Sequence, residues 1–119
     1  MNYNELTLRY FEAAASAGVL EGPGTFRGAA GSRAQGTWVQ FDLRIDHGII
    51  RAARFLAFGC PHTIAVSAWV AEKGPGGGLR DGFPATVADL SALFAVPTEK
   101  RGRLLIVEDA WMAALSAAR

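Results

Sequence analysis

Between Thr37 and Asp46 apolar and polar residues alternate. Val39, Phe41, Leu43 and Ile45 fall on one side and Gln40, Asp42 and Arg44 on the other, with Trp38 the single apolar residue of the polar side. A period of two predicts a half-buried strand. His47-Gly48 supplies a two-residue turn, and Ile49 to Phe58 reads as a second strand, so the pair is expected to form an antiparallel hairpin. On this pattern Asp42 and Arg44 face water as a weak surface pair, and His47 is a solvated turn residue.

Helical spacing brackets the hairpin. Leu6, Leu8, Tyr10, Phe11 and the alanines at 13 to 15 predict a first helix ending at Gly18, with Glu5 and Glu12 on its polar side. Six glycines and a proline between Gly18 and Gly36 predict a loop, with one irregular edge strand around Thr25 to Ala30. Pro61 suits the first position of a helix running through Trp69 and Val70 to Lys73, which places Cys60 at the N-cap. Gly74 to Gly78 terminates that helix. The run resembles a phosphate loop only superficially, since it follows a helix and lacks the Gly-Lys-Ser/Thr ending. Further helices are expected over Pro84 to Phe94 and Leu104 to Ala118, with Trp69 and Trp111 in the core. Helix, strands, then helices predicts an α+β domain: a small antiparallel sheet of about three strands with helices packed on one face.

Composition narrows the function. The chain has 119 residues, half of them hydrophobic and 19% charged, which suits one folded domain over 1–119. A net charge of +1 is too small for a phosphate-neutralising surface, so nucleic acid is not an expected partner. No apolar run approaches the ~20 residues that span a bilayer, and Met1 to Glu5 lacks the start of a signal peptide, so a cytoplasmic protein without membrane contact is expected. No Ser/His/Asp or paired-carboxylate arrangement points to an enzyme. Cys60 is the only cysteine, which excludes an intramolecular disulfide and a multi-cysteine metal site within one chain.

The most specific string runs from Ala53 through Phe58-Gly59-Cys60 to Ile64-Ala65-Val66-Ser67. It resembles the NifU/IscU-type iron–sulfur cluster scaffold family, in which an aromatic-Gly-Cys sequence precedes an Ile-Ala-x-Ser-like helix. Tyr10-Phe11 and Glu108-Asp109-Ala110 extend the resemblance to both ends of the chain. The resemblance implies iron or an iron–sulfur cluster as cargo. It also implies assembly proteins as partners, a cysteine desulfurase or a related scaffold, and it leaves room for a homodimer.

The ligand positions depart from the family. Its Cys-Gly-Asp triplet falls on Gln35-Gly36-Thr37, and its His-Cys pair on Gly102-Arg103, so Cys60 alone remains as a metal ligand. The chaperone motif Leu-Pro-Pro-Val-Lys is reduced to Val96-Pro97-Thr98-Glu99-Lys100. A two-iron cluster needs four terminal protein ligands, and neither an amide nor a guanidinium replaces a thiolate. What the resemblance implies is a scaffold with a degenerate site, in which Cys60, Gln35, Thr37 and Arg103 converge at one end of the sheet. Three readings stay open. Cys60 serves cluster assembly in a reduced way, by sharing a cluster between two chains with help from His62 or by accepting a persulfide. Alternatively, Gln35, Thr37 and Arg103 line a metal-free anion-binding or thiol-reactive pocket. In the third reading the chain acts through a protein partner, and Cys60 is a small buried hydrophobe.

Overall fold

A computed structural model describes residues 3–119. Helix α1 (Glu5–Glu12) leads into strands β1 (Thr25–Ser32), β2 (Thr37–Asp46) and β3 (Ile49–Phe58), followed by α2 (Pro61–Lys73), α3 (Val87–Leu93) and α4 (Arg101–Ala117). The strands form one antiparallel sheet in the order β1-β2-β3. This is the α+β architecture the sequence predicts, with several boundaries moved: the first helix ends at Glu12 and not at Gly18, leaving the alanines at 13 to 15 outside it. The edge strand is longer than Thr25 to Ala30, α3 is shorter than its apolar pattern, and α4 starts earlier, out of a 3-10 turn at Thr98–Lys100.

The alternation in β2 decides which sheet face is covered. Val39, Phe41 and Leu43 stand opposite Ala57, Phe55 and Ala53 of β3, and all but the partly buried Ala57 are buried. Helices α2 and α4 lie on that face. Val66 and Val70 of α2 and Leu104, Val107, Trp111 and Leu115 of α4 complete the core, with the Trp111 ring edge-on to Phe41 at 5.1 Å. Trp69 is only partly buried, and its ring meets Phe94 edge-on. Gly74 to Gly78 ends α2 and then doubles back along β3, where Gly76 donates to the Ile50 carbonyl and Ile50 donates to the Gly77 carbonyl.

Two glycines of β1 set the position of α4. A Cβ at Gly28 would lie 2.0 Å from the backbone nitrogen of Ala114, and one at Gly31 would lie 3.0 Å from the Ile106 side chain. Helix α4 therefore runs antiparallel to β1, and its N-terminus lies at the sheet end where β1 turns into β2. Because Trp38 pairs with Phe58, the end of β3 and the start of α2 reach the same place.

The other face corrects the sequence reading of Asp42. Its side chain does point away from the helices, yet it is fully buried and accepts two bonds from Arg27, at 2.7 and 2.9 Å, and one from the Leu20 backbone. Residues 19–24 cross this face as a strap over Asp42 and Arg44. They leave a backbone bridge at Phe55 on the β3 edge and arrive where Gly24 accepts from Ile45. Arg44 is not its partner but donates to the Glu21 carbonyl. Burial acts to raise the Asp42 pKa, and the bonds from Arg27 and Leu20 more than offset it, so the carboxyl titrates below its usual value. A carboxyl lowered on folding contributes stability that is present above its unfolded pKa and lost as pH falls through the folded one. Asp42→Ala should cost about 2 kcal/mol at neutral pH, less than a fully buried pair because Arg27 is half exposed. The difference from wild type should shrink in acid melts below about pH 4. A variant as stable as wild type at pH 7 would show that the strap needs no anchor.

Candidate functional site

The end of the sheet where α2 and α4 begin holds the chemistry. Gly59 sits at φ +156°, where a side chain would press on Thr63 at 3.0 Å, so the chain enters α2 with Cys60 as N-cap in extended conformation. That geometry leaves the Cys60 sulfur beside the first turn. The thiol is half-buried and lies 3.7 Å from the Thr63 hydroxyl. Arg103, in the first turn of α4, donates from Nη1 to Cys60 Sγ at 3.2 Å. Burial acts to raise the thiol pKa. The Thr63 backbone N–H and hydroxyl, the His62 N–H and the Arg103 charge together outweigh it, so the thiol titrates below its ordinary value. These groups all favour the thiolate form of Cys60, which disfavours the reading of an inert buried hydrophobe.

The other expected site residues are placed less directly. Thr37 is buried at the start of β2. Gln35 is exposed in the β1–β2 turn, where its backbone N–H donates to the Ser32 hydroxyl. Both lie at the Cys60 end by strand register, but neither bonds to Cys60 or Arg103. His62 is buried with neither ring nitrogen in a well-formed hydrogen bond, and its ring meets Tyr3 edge-on at 4.7 Å. Burial, then the charges of Lys100 and Arg103, lower its pKa against a pull from the Phe94 carbonyl. It is a buried histidine whose charged form is disfavoured, and its ring makes no hydrogen bond to the thiol. His47 is an exposed turn residue at φ 51° with Nδ1 at 3.0 Å from Asp46.

A family model for the NifU-like N-terminal domain matches residues 2–118. The chain belongs to that family. It is 29% identical over 119 residues to "Iron sulfur cluster assembly protein 1" of Trachipleistophora hominis, covering 97% of this chain and 85% of that one. The iron–sulfur cluster assembly scaffold protein IscU of Escherichia coli K12 is 28% identical over 98% of this chain and 93% of its own. Among solved structures, a protein assigned as a SUF-system cluster assembly scaffold from Fervidobacterium islandicum AW-1 superposes with a TM-score of 0.77. It is 15% identical and covers 95% of this chain and 96% of its own. Against this scaffold family, the single cysteine marks a degenerate site.

The residues present do not fit a cluster. Among the described residues no group of three or more His, Cys, Asp or Glu could hold a metal ion. The sulfur of Cys60, the one thiol, already accepts from a permanently charged guanidinium. A metal there would have to displace Arg103 and tolerate its charge.

Proposed function

We propose that this scaffold-fold protein serves iron–sulfur cluster assembly as an accessory that carries sulfur on the Cys60 thiolate, rather than as the holder of a cluster. The Arg103–Cys60 contact carries this reading. A cation on a half-exposed thiol at a helix N-terminus raises the thiolate fraction at neutral pH, which a nucleophilic sulfur acceptor requires. An anion in the same pocket would have to compete with that thiolate for Arg103.

The step balances without an added oxidant. The Cys60 thiolate attacks the outer sulfur of a donor persulfide, R–S–SH. The donor S–S bond breaks, a new S–S bond forms at Cys60, and the donor leaves as its thiolate while the persulfide proton travels with the transferred sulfur. Arg103 remains within reach of the new anionic terminus once that proton is lost. A cysteine desulfurase carries a persulfide of this kind and is the partner this reading favours.

Glutathione persulfide tests the reading without any partner. Wild type should gain the mass of one sulfur atom per chain, removable by a reducing thiol, and Cys60→Ser should gain none. Wild-type protein that stays unmodified while glutathione is released by no competing route would overturn the proposal.

A further inference from the structure

The strap over Asp42 covers only part of the outer sheet face. Nearer to Cys60 that face is open. Register places Trp38 opposite Phe58 and Gln40 opposite Leu56, and Leu56 and Phe58 are 36% and 41% exposed. Glycine and alanine at positions 31 and 29 complete the row on β1, so no large strand side chain covers it from that side, and only Arg33, from the turn after β1, reaches the Phe58 ring. Exposed Leu56 and Phe58, with the half-buried Trp38 beside them, therefore form an apolar patch that ends two residues before Cys60.

Charge around the patch is one-sided. From Thr25 to Phe58 the chain carries five arginines against two aspartates, an excess of +3 in a protein whose net charge is +1. Asp42 is buried and satisfied by Arg27, which leaves this part of the face without an exposed carboxylate. Arg33 places its guanidinium over the Phe58 ring at 5.2 Å, and Arg54 donates only to the Ala53 carbonyl. Neither forms an ion pair among the described residues. An apolar centre with unneutralised arginines at its rim complements a surface with a protruding apolar side chain among carboxylates. A second copy of this chain would bring like charges together.

We propose that the outer face formed by Trp38, Leu56 and Phe58 with Arg33 and Arg54 docks the acidic, apolar-centred segment of the protein that delivers sulfur to Cys60. This rests on Cys60 being the sulfur acceptor and adds to it the chemistry of the donor. The continuity of the patch with the thiol supplies the geometry: a donor seated on Phe58 has its own reactive sulfur within a few residues of Cys60.

Two synthetic peptide persulfides test this, one with glutamates and a leucine before its cysteine and one with lysines in place of the glutamates, with glutathione persulfide as the reference donor. On wild-type protein at low salt the acidic peptide should load Cys60 roughly tenfold faster than the basic one, an advantage that falls steeply with ionic strength. In Arg33→Glu/Arg54→Glu the preference should disappear or reverse while loading by glutathione persulfide keeps its wild-type rate. Phe58→Ser should slow the acidic peptide alone. Equal rates for the two peptides on wild type would overturn the docking proposal and leave the acceptor role standing. Failure of all donors, glutathione persulfide included, would overturn both. A concentration-dependent dimer that Phe58→Ser dissociates would assign the face to a second copy and overturn the proposal likewise.

Discussion

Gly28→Ala should lower stability by about 3 kcal/mol or more and the thermal midpoint by roughly 10 °C. The added methyl would stand 2.0 Å from the nitrogen of Ala114, 2.5 Å from the carbonyl carbon of Ala113 and 2.7 Å from the oxygen of Ala110. All three are backbone atoms of α4, so no side chain can rotate away and the helix must lift from β1. That movement opens the core around Val107, Trp111 and Leu115 and displaces the first turn of α4, which carries Arg103. Gly36→Ala provides the comparison. Its site is open, and only its φ of +80° is unfavourable, so about 1 kcal/mol is expected. Equal losses in the two variants, read by chemical denaturation, would show that β1 and α4 are not in backbone contact.

The second large effect is on the thiol. Arg103→Ala should slow alkylation of Cys60 by iodoacetamide about two- to threefold at neutral pH and move the midpoint of its pH–rate profile upward. The sign follows from charge: the guanidinium stabilises the thiolate, so its removal favours the protonated form. Arg103→Lys should fall between the two, since it keeps the charge and loses the fixed geometry of the donor. The profile midpoint separates this from easier access, because a more open pocket raises the rate on the plateau without moving the midpoint. A midpoint unchanged in Arg103→Ala would mean that the N-terminus of α2 alone sets the reactivity of Cys60.

The hairpin was legible because β2 and β3 share one covered face, and one covered face imposes a period of two. Asp42 shows the limit of that signal. Alternation assigns it to the correct face, but its burial comes from residues 19–24, which are distant in sequence and have no period of their own. The cue was Arg27, which stands opposite Asp42 only once β1 is in register. That register was obscured by Gly28, which makes the expected edge strand irregular, and by Gly31, which reads as a loop residue; both lie under α4. At the site, the family resemblance brought Cys60 and Arg103 to one end of the sheet. The bond between them depends on the tilt of α4 over β1, which no local pattern encodes. Tyr3 carries no sequence signal and Lys100 stands out only as part of the reduced chaperone motif, yet Lys100 Nζ stands 5.6 Å over the Tyr3 ring and both adjoin the buried His62.

The chain keeps the scaffold fold of its family, while Cys60 alone remains of the family's ligand positions. Iron per chain after anaerobic reconstitution with ferrous iron and sulfide, measured on desalted protein beside a variant carrying Gln35→Cys, Thr37→Asp and Arg103→Cys, tests the effect of that loss most directly. Background iron is expected in wild type, and a visible absorbance with bound iron in the triple variant, whose added thiols reach the same end of the sheet as Cys60. Wild-type protein that retains about two irons per chain, and loses them in Cys60→Ser, would contradict this.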